Sequence, residues 1–333
     1  MRFKITIILI PSLLCGLQLP AAAQPMPLKN VKTYMFQFQG LDARGAIEKL
    51  ARSDYDLLII DDVHQAKGGQ RVDMPGLVAT LRAGKPARIV LAYFDLGAAE
   101  TDRTYWSADW KAPRPGQLGH PDFLMGINPP GWEDTFLTLF WDKRWQDLMV
   151  DADDSSLARS LAAGFDGVLV DWVETADHPA ISAIAAKQSS DARQSMADLL
   201  AKVRAAVRKV RPAGLVLTLN GAALALDNPK AREAIDGIIC EGIWFTGKGD
   251  VSWNSADGGD VPNTSTGNRA TDARLKQARA LHDAGKAVFT LDYTLKSDRA
   301  QHIYANSRDA GLIPLVTRSS LGGFTTTPPP PPQ

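Results

Sequence analysis

The chain reads as a single (β/α)8 barrel of the α/β class, with an elaborated loop after the third strand. Three observations predict it. Eight short apolar runs alternate with helical patterns along the chain. Four of the helical patterns close on Ala-Gly: Ala83-Gly84, Ala163-Gly164, Ala284-Gly285 and Ala310-Gly311. Six of the apolar runs end in a polar residue: Asp61, Asp95, Asp171, Asn220, Glu241 and Asp292.

The expected strands are residues 33–39, 57–61, 89–95, 167–171, 216–220, 237–241, 287–292 and 312–317. Several are continuous runs, such as Leu57-Leu58-Ile59-Ile60 and Val168-Leu169-Val170, rather than alternating ones. Parallel strands covered on both faces have that signature. Between them, Met196, Leu199, Leu200, Val203, Val207 and Val210 recur at steps of three and four, which places them on one helical face. The Ala-Gly pairs fit helix ends, where glycine accepts left-handed backbone without steric cost. A repeated strand, helix and stop signal is what a closed βα repeat produces.

Residues 136–141 form a further strand-like run within the long connection between Asp95 and Gly167. We read that connection as a loop over the barrel mouth, rich in aromatics: Tyr105, Trp106, Trp110, Trp132, Trp141 and Trp145. The competing assignment makes 136–141 a barrel strand and demotes 33–39 to an edge. Residues 30–320 show no internal boundary, and the proline-rich end, 325–333, reads as a disordered tail.

The ends and the bulk composition restrict the setting. Arg2 and Lys4, an apolar stretch, and Ala21-Ala22-Ala23 have the layout of an export signal over residues 1–23. A secreted, periplasmic or cell-envelope protein with no stable membrane insertion is expected. Cleavage there removes Cys15 and leaves Cys240 alone, so no internal disulfide follows. Formal net charge is zero, which argues against a nucleic-acid partner, because such binders need a surplus of Lys and Arg.

Strand ends are where a (β/α)8 barrel carries its chemistry. Asp and Asn also cap helices and shape turns, so each alone is ambiguous. Asp171 and Glu241 each terminate a strongly apolar run and therefore suit a pair of carboxylates that break a glycosidic bond. In such a pair one group gives a proton to the leaving oxygen, while the other attacks the sugar or activates water. No metal or cofactor is expected. His64, His120, His178, His282 and His302 are scattered without ligand spacing, which disfavours a metal-dependent deacetylase. Gly247-Lys248-Gly249 lacks the rest of a phosphate loop.

At these residues the chain resembles glycoside hydrolase family 114, the endo-α-1,4-polygalactosaminidases, and related bacterial extracellular barrels. The similarity runs from about Tyr55 to Arg318. It includes Leu57-Leu58-Ile59-Ile60-Asp61-Asp62, Ala92-Tyr93-Phe94-Asp95-Leu96-Gly97, Glu100, Arg103, Gly164-Phe165-Asp166-Gly167 leading to Asp171, Asn220-Gly221 and Asp236-Gly237 leading to Glu241. The resemblance implies hydrolysis of α-1,4-linked galactosamine or N-acetylgalactosamine polysaccharide, with Asp171 as nucleophile and Glu241 as acid/base, and with retention. It also implies that Asp61, Tyr93, Glu100, Arg103 and Asn220 line the pocket. The run Asp171-Trp172-Val173-Glu174 departs from the family's usual pattern.

Trp172 and Trp244, beside the catalytic positions, are expected to stack on sugar faces; Trp106, Trp132 and Trp141 divide evenly between that role and core packing. Glu174 and Asp292 join the expected substrate contacts. Asp61, Asp62, Glu100, Glu174, Asp177 and Asp292 would make the cleft acidic and concentrate a cationic amino-sugar polymer. A non-catalytic barrel that binds envelope polysaccharide is the alternative.

Overall fold

The computed structural model describes residues 25–62, 73–249 and 251–323. The expected signal segment and tail lie outside them. Eight parallel strands follow one another in chain order: β1 (Tyr34–Gln37), β2 (Leu57–Asp61), β3 (Ile89–Asp95), β4 (Gly167–Asp171), β5 (Leu215–Leu219), β6 (Gly237–Glu241), β7 (Ala287–Tyr293) and β8 (Ile313–Thr317). Helices lie between successive strands, giving a nearly closed (β/α)8 barrel. At the seam, the N–H groups of Phe38 and Gln39, just past β1, donate to the Leu321 carbonyl beyond β8 at 3.0 and 3.2 Å.

The continuous apolar runs are buried on both faces. Leu57 through Ile60 and Ile89 through Ala92 have no exposed surface, and each such Leu or Ile side chain contributes about 1.5–3 kcal/mol relative to exposure. The long helix Ala192–Val210 presents Met196, Leu199, Leu200, Val203 and Val207 to the barrel, while Val210 at its end is exposed.

Three aspartates clamp the strands in pairs at the opposite end from the strand C-termini. Asp56, before β2, accepts the N–H groups of Lys32 and Thr33 and pairs with Lys85 at 2.6 Å. Asp166, before β4, accepts Val90 N–H at 2.9 Å and pairs with Arg82 at 2.5 Å. Asp236, before β6, accepts Val216 N–H at 2.9 Å and pairs with Arg204 at 3.0 Å. Each ties an even strand to the odd strand before it.

This accounts for Gly-Phe-Asp-Gly. Gly164 ends a helix at φ 103°, Phe165 is fully buried, and Asp166 is the clamp. A Cβ on Gly167 would stand 1.9 Å from the Leu215 carbonyl oxygen. The motif belongs to the floor of the barrel. Gly285 and Gly311 are also left-handed, as the Ala-Gly stop signal predicts. Gly84 is not: its φ is −80°, and it is glycine because a Cβ would stand 2.8 Å from the Ala51 carbonyl oxygen.

The strand-like run 136–141 stays outside the barrel. Thr135–Leu137 pairs antiparallel with Ala98–Glu100 in a separate ribbon. Around it Tyr105, Trp106, Trp110, Phe123 and Trp145 pack ring against ring. The fully buried Trp145 pins this excursion down by donating its indole N–H to the Leu96 carbonyl at 2.8 Å. Trp106 is thus core to the excursion, and Trp141 is held half-buried by Gln188 at 2.8 Å.

Candidate active site

β4, β5 and β6 are neighbours in the sheet, so their C-terminal ends bring Asp171, Asn220 and Glu241 to one face of the barrel. The chain turns sharply as it leaves each strand: Trp172, Asn220, Gly221 and Gly242 have φ of 58°, 59°, 81° and 60°. Left-handed backbone at a non-glycine residue costs about 1–3 kcal/mol and persists only where its surroundings hold it. Gly97 helps to hold Trp172, since a Cβ there would stand 2.0 Å from the Trp172 carbonyl oxygen.

Both carboxylates are fixed by donors on each oxygen. Asp171 Oδ2 accepts the Tyr93 hydroxyl at 2.6 Å, and Oδ1 accepts the Trp172 backbone N–H at 2.6 Å. Glu241 Oε2 accepts Asn220 Nδ2 at 3.1 Å, and Oε1 accepts the Tyr293 hydroxyl. Asn220 grips the same residue twice, because its Oδ1 accepts Glu241 N–H at 3.0 Å. Arg274 donates to the Glu241 carbonyl from the helix Thr271–Asp283.

Burial pushes the Asp171 carboxyl up to about 7; Tyr93 and the Trp172 N–H pull against it, and the charge on Glu241 adds to the rise. Burial first, and then the neighbouring carboxylates, hold the Tyr93 and Tyr293 phenols well above their usual range. Both therefore remain donors at working pH.

Beside this pair lies a buried knot of charged side chains around one arginine. Arg103 is 3% exposed and meets Glu100 at 2.5 Å, Asp61 at 2.7 Å and Asp95 at 3.6 Å. Its guanidinium also lies 5.5 Å from the centre of the Phe38 ring. Three carboxylates around one arginine leave two in surplus. Burial is the main cause raising Asp61, Glu100 and Asp95, the last to about 7, so a proton is retained among them near neutrality.

The other predicted site residues divide. Trp172 is half-buried beside Asp171, and its indole N–H is buried with no partner among the described residues. Glu174 lies in the short helix after β4, 3.9 Å from Arg269, and is raised chiefly by burial. Trp244 is half-buried, in the loop after β6. Asp292 goes elsewhere. On β7 it alternates with Leu291 and Tyr293, so its side chain takes the opposite face from Tyr293. It is fully buried, accepts the N–H groups of Trp244 and Phe245 at 2.7 and 2.8 Å, and so shapes the loop that carries Trp244.

The expected acidic cleft is correspondingly narrower. Asp62 is fully buried and accepts the Ser160 hydroxyl at 2.5 Å, and Asp177 pairs with Arg193 at 2.8 Å. Surplus negative charge is concentrated at Asp61, Asp95 and Glu100. Among the described residues, no group of three His, Cys, Asp or Glu side chains is arranged to hold a metal ion.

Sequence reasoning passed over Tyr293 and Arg274. Ending the seventh strand at Asp292 selected the wrong face by one residue, and the alternation rule extended by one position would have found Tyr293. Arg274 carries no local signal, since only tertiary packing brings its helix to Glu241.

The sequence profile of glycoside-hydrolase family GH114 matches residues 18–329. The chain belongs to family GH114. With that membership it is a glycoside hydrolase. The GH114 chain is 27% identical over 317 residues to an uncharacterised protein of Deinococcus radiodurans, covering 91% of this chain and 87% of the relative. An uncharacterised protein of Thermotoga maritima is 22% identical over 304 residues, covering 89% and 82% respectively. Among solved structures, the glycoside hydrolase domain of PelA from Pseudomonas aeruginosa superimposes with a TM-score of 0.58 at 15% identity. That match covers 88% of this chain and 96% of the PelA domain, and at such identity it speaks to the fold.

Proposed function

We propose that the chain hydrolyses α-1,4-linked galactosamine-containing polysaccharide with retention, using Asp171 as nucleophile and Glu241 as acid/base. The observation that carries this reading is the pair itself: two carboxylates at the ends of β4 and β6, both oxygens of each held by donors, on the face where such barrels do chemistry. Glu241, less buried than Asp171, protonates the departing oxygen and then activates water. Asp171 attacks the sugar carbon, and Tyr93 and the Trp172 N–H stabilise its ionised form until it does. Trp172 and Trp244 offer ring faces to the sugar. The surplus carboxylates at Arg103 favour a protonated amine on the substrate, through Asp61 and Glu100. We also propose export from the cytoplasm, on the composition of residues 1–23.

The test is the release of new reducing ends from an α-1,4-galactosamine polymer. Wild type should release fragments, while Asp171→Asn and Glu241→Gln should not. The anomeric form of the first product, read by proton NMR, checks retention. Tight binding by wild type without turnover would point instead to a non-catalytic polysaccharide-binding barrel.

A further inference from the structure

Side chains alternate along β1, so Tyr34, Phe36 and Phe38, the first residue past the strand, take one face. That face is the inner one, because Phe36 and Phe38 both pack against the Tyr93 ring. Tyr34 and Phe36 are sealed, whereas Phe38, the last of the three, is half-buried. Its backbone is fixed on both sides. The Phe38 N–H donates to the Leu321 carbonyl at 3.0 Å, and Gln37 Nε2 donates to the Gln39 carbonyl at 3.1 Å. The ring therefore stands where the packed core gives way to the barrel mouth.

Its neighbours belong to both parts of the site. The Phe38 and Tyr93 rings meet edge to face with centres 4.8 Å apart, and Tyr93 carries the bond to Asp171. The Arg103 guanidinium lies 5.5 Å from the Phe38 ring centre, and Arg103 carries the bonds to Asp61 and Glu100. Tyr93, Arg103, Asp61 and Glu100 are all buried, so Phe38 is the partly open side chain that joins the nucleophile's donor to the knot. An aromatic ring left open among polar groups presents an apolar face to whatever reaches them. Trp172 and Trp244 follow β4 and β6, so Phe38 approaches the pair from another side of the barrel.

We infer that Phe38 is the surface on which the sugar attacked by Asp171 rests, and that it selects the galacto over the gluco configuration. In a galacto ring the axial 4-oxygen occupies one face, and C3–H, C4–H and C5–H form a continuous apolar patch on the other. An equatorial 4-oxygen, as in a gluco ring, turns C4–H to the opposite face and breaks that patch. A phenyl ring offers such C–H groups a negative face and has no polar tip to compete for hydroxyls. An α-1,4 linkage leaves through the axial oxygen, so the patch stays free within a polymer. The inference rests on the hydrolase reading above and adds the feature recognised besides the amine: the configuration at C4.

The experiment uses Asp171→Asn, which cannot turn over, and follows binding of α-1,4-linked galactosamine and glucosamine trimers by calorimetry. The galactosamine trimer should bind more tightly. Adding Phe38→Leu should weaken it about tenfold, the worth of one aromatic contact, and leave the glucosamine trimer nearly unchanged. Phe38→Tyr, which keeps the ring, should retain the preference. Should Phe38→Leu fail to fold, Phe38→Met supplies the same comparison with a more adaptable side chain. In the otherwise wild-type enzyme, Phe38→Leu should leave the acid limb of kcat/KM in place, because the bond from Tyr93 to Asp171 remains. Equal affinity for the two trimers, equal loss from both, or a displaced acid limb overturns the inference; the last would make Phe38 a support for Tyr93. Cleavage of galactosamine polymer without Phe38-dependent binding removes the platform alone. Phe38-dependent binding of the galactosamine trimer with no cleavage of its polymer removes the hydrolase reading and leaves the platform standing.

Discussion

Tyr93 on β3 donates its phenolic hydrogen to Asp171 on β4 over 2.6 Å, and that bond opposes the burial that raises the Asp171 carboxyl to about 7. A nucleophile must be ionised, so kcat/KM should fall as pH drops through about 7. Tyr93→Phe removes a group that favours the ionised form, and the acid limb of the profile should move to higher pH. Near pH 6 the loss should be about 10- to 100-fold, the worth of one hydrogen bond to a charged group. If the limb near 7 instead marks loss of activity with rising pH, Asp171 is the acid and the two roles exchange.

Asn220 combines two demands that a pair of substitutions can separate. Its backbone is left-handed at φ 59°, and its side chain holds both the carboxylate and the N–H of Glu241. Asn220→Gly keeps the turn and removes the amide; Asn220→Ala removes the amide and strains the turn. Both should lower kcat by roughly tenfold or more. Only the alanine variant should also lose about 1 kcal/mol of stability relative to glycine, read from urea midpoints. Equal stability of the two variants would show that the turn does not depend on this residue.

Stability should decline as pH rises towards neutrality. Asp95, Asp171 and Asp292 are raised from 3.8 to about 7, in each case chiefly by burial. A carboxyl raised on folding favours the folded state fully below its ordinary value, and loses that contribution as pH climbs through the raised one. The window is therefore about 4 to 7. Aspartates held low by partners, such as Asp56 with Lys85, act only at the acid end. Melting temperature should be higher at pH 5 than at pH 8. Asp292→Asn, which keeps an acceptor for the Trp244 and Phe245 N–H groups, should flatten the slope. A melting temperature that rises between those pH values would contradict the assignment.

The barrel was legible in the sequence because its cause is local. Continuous apolar runs at Leu57, Ile89 and Val168 can only be covered on both sides, and Gly285 and Gly311 mark helix ends by backbone conformation alone. Asp171 and Glu241 were legible because they end such runs. The rest depends on distance in space rather than in sequence. Gly97 is needed because the Trp172 carbonyl approaches it, and Arg274 reaches Glu241 only after the last third of the chain has packed. Asp292 shows how narrow the margin is on a strand: one position separates a side chain that braces a loop from Tyr293, which holds the Glu241 carboxylate.

The segment that leads into β4 should prove dispensable for chemistry. Gly164-Phe165-Asp166-Gly167 precedes β4, at the end of the barrel opposite Asp171. Its aspartate is taken up by Val90 N–H and Arg82. Asp166→Asn keeps an acceptor for Val90 but removes the charge that Arg82 meets. Because Arg82 retains some solvent contact, the cost should be about 1–3 kcal/mol, less than for a sealed ion pair. Urea midpoints should fall accordingly, while kcat/KM per folded molecule and its pH profile stay as in wild type. A shifted profile in this variant would mean that strain at the floor reaches Asp171 through β4, and the division of the barrel into a structural and a chemical end would fail.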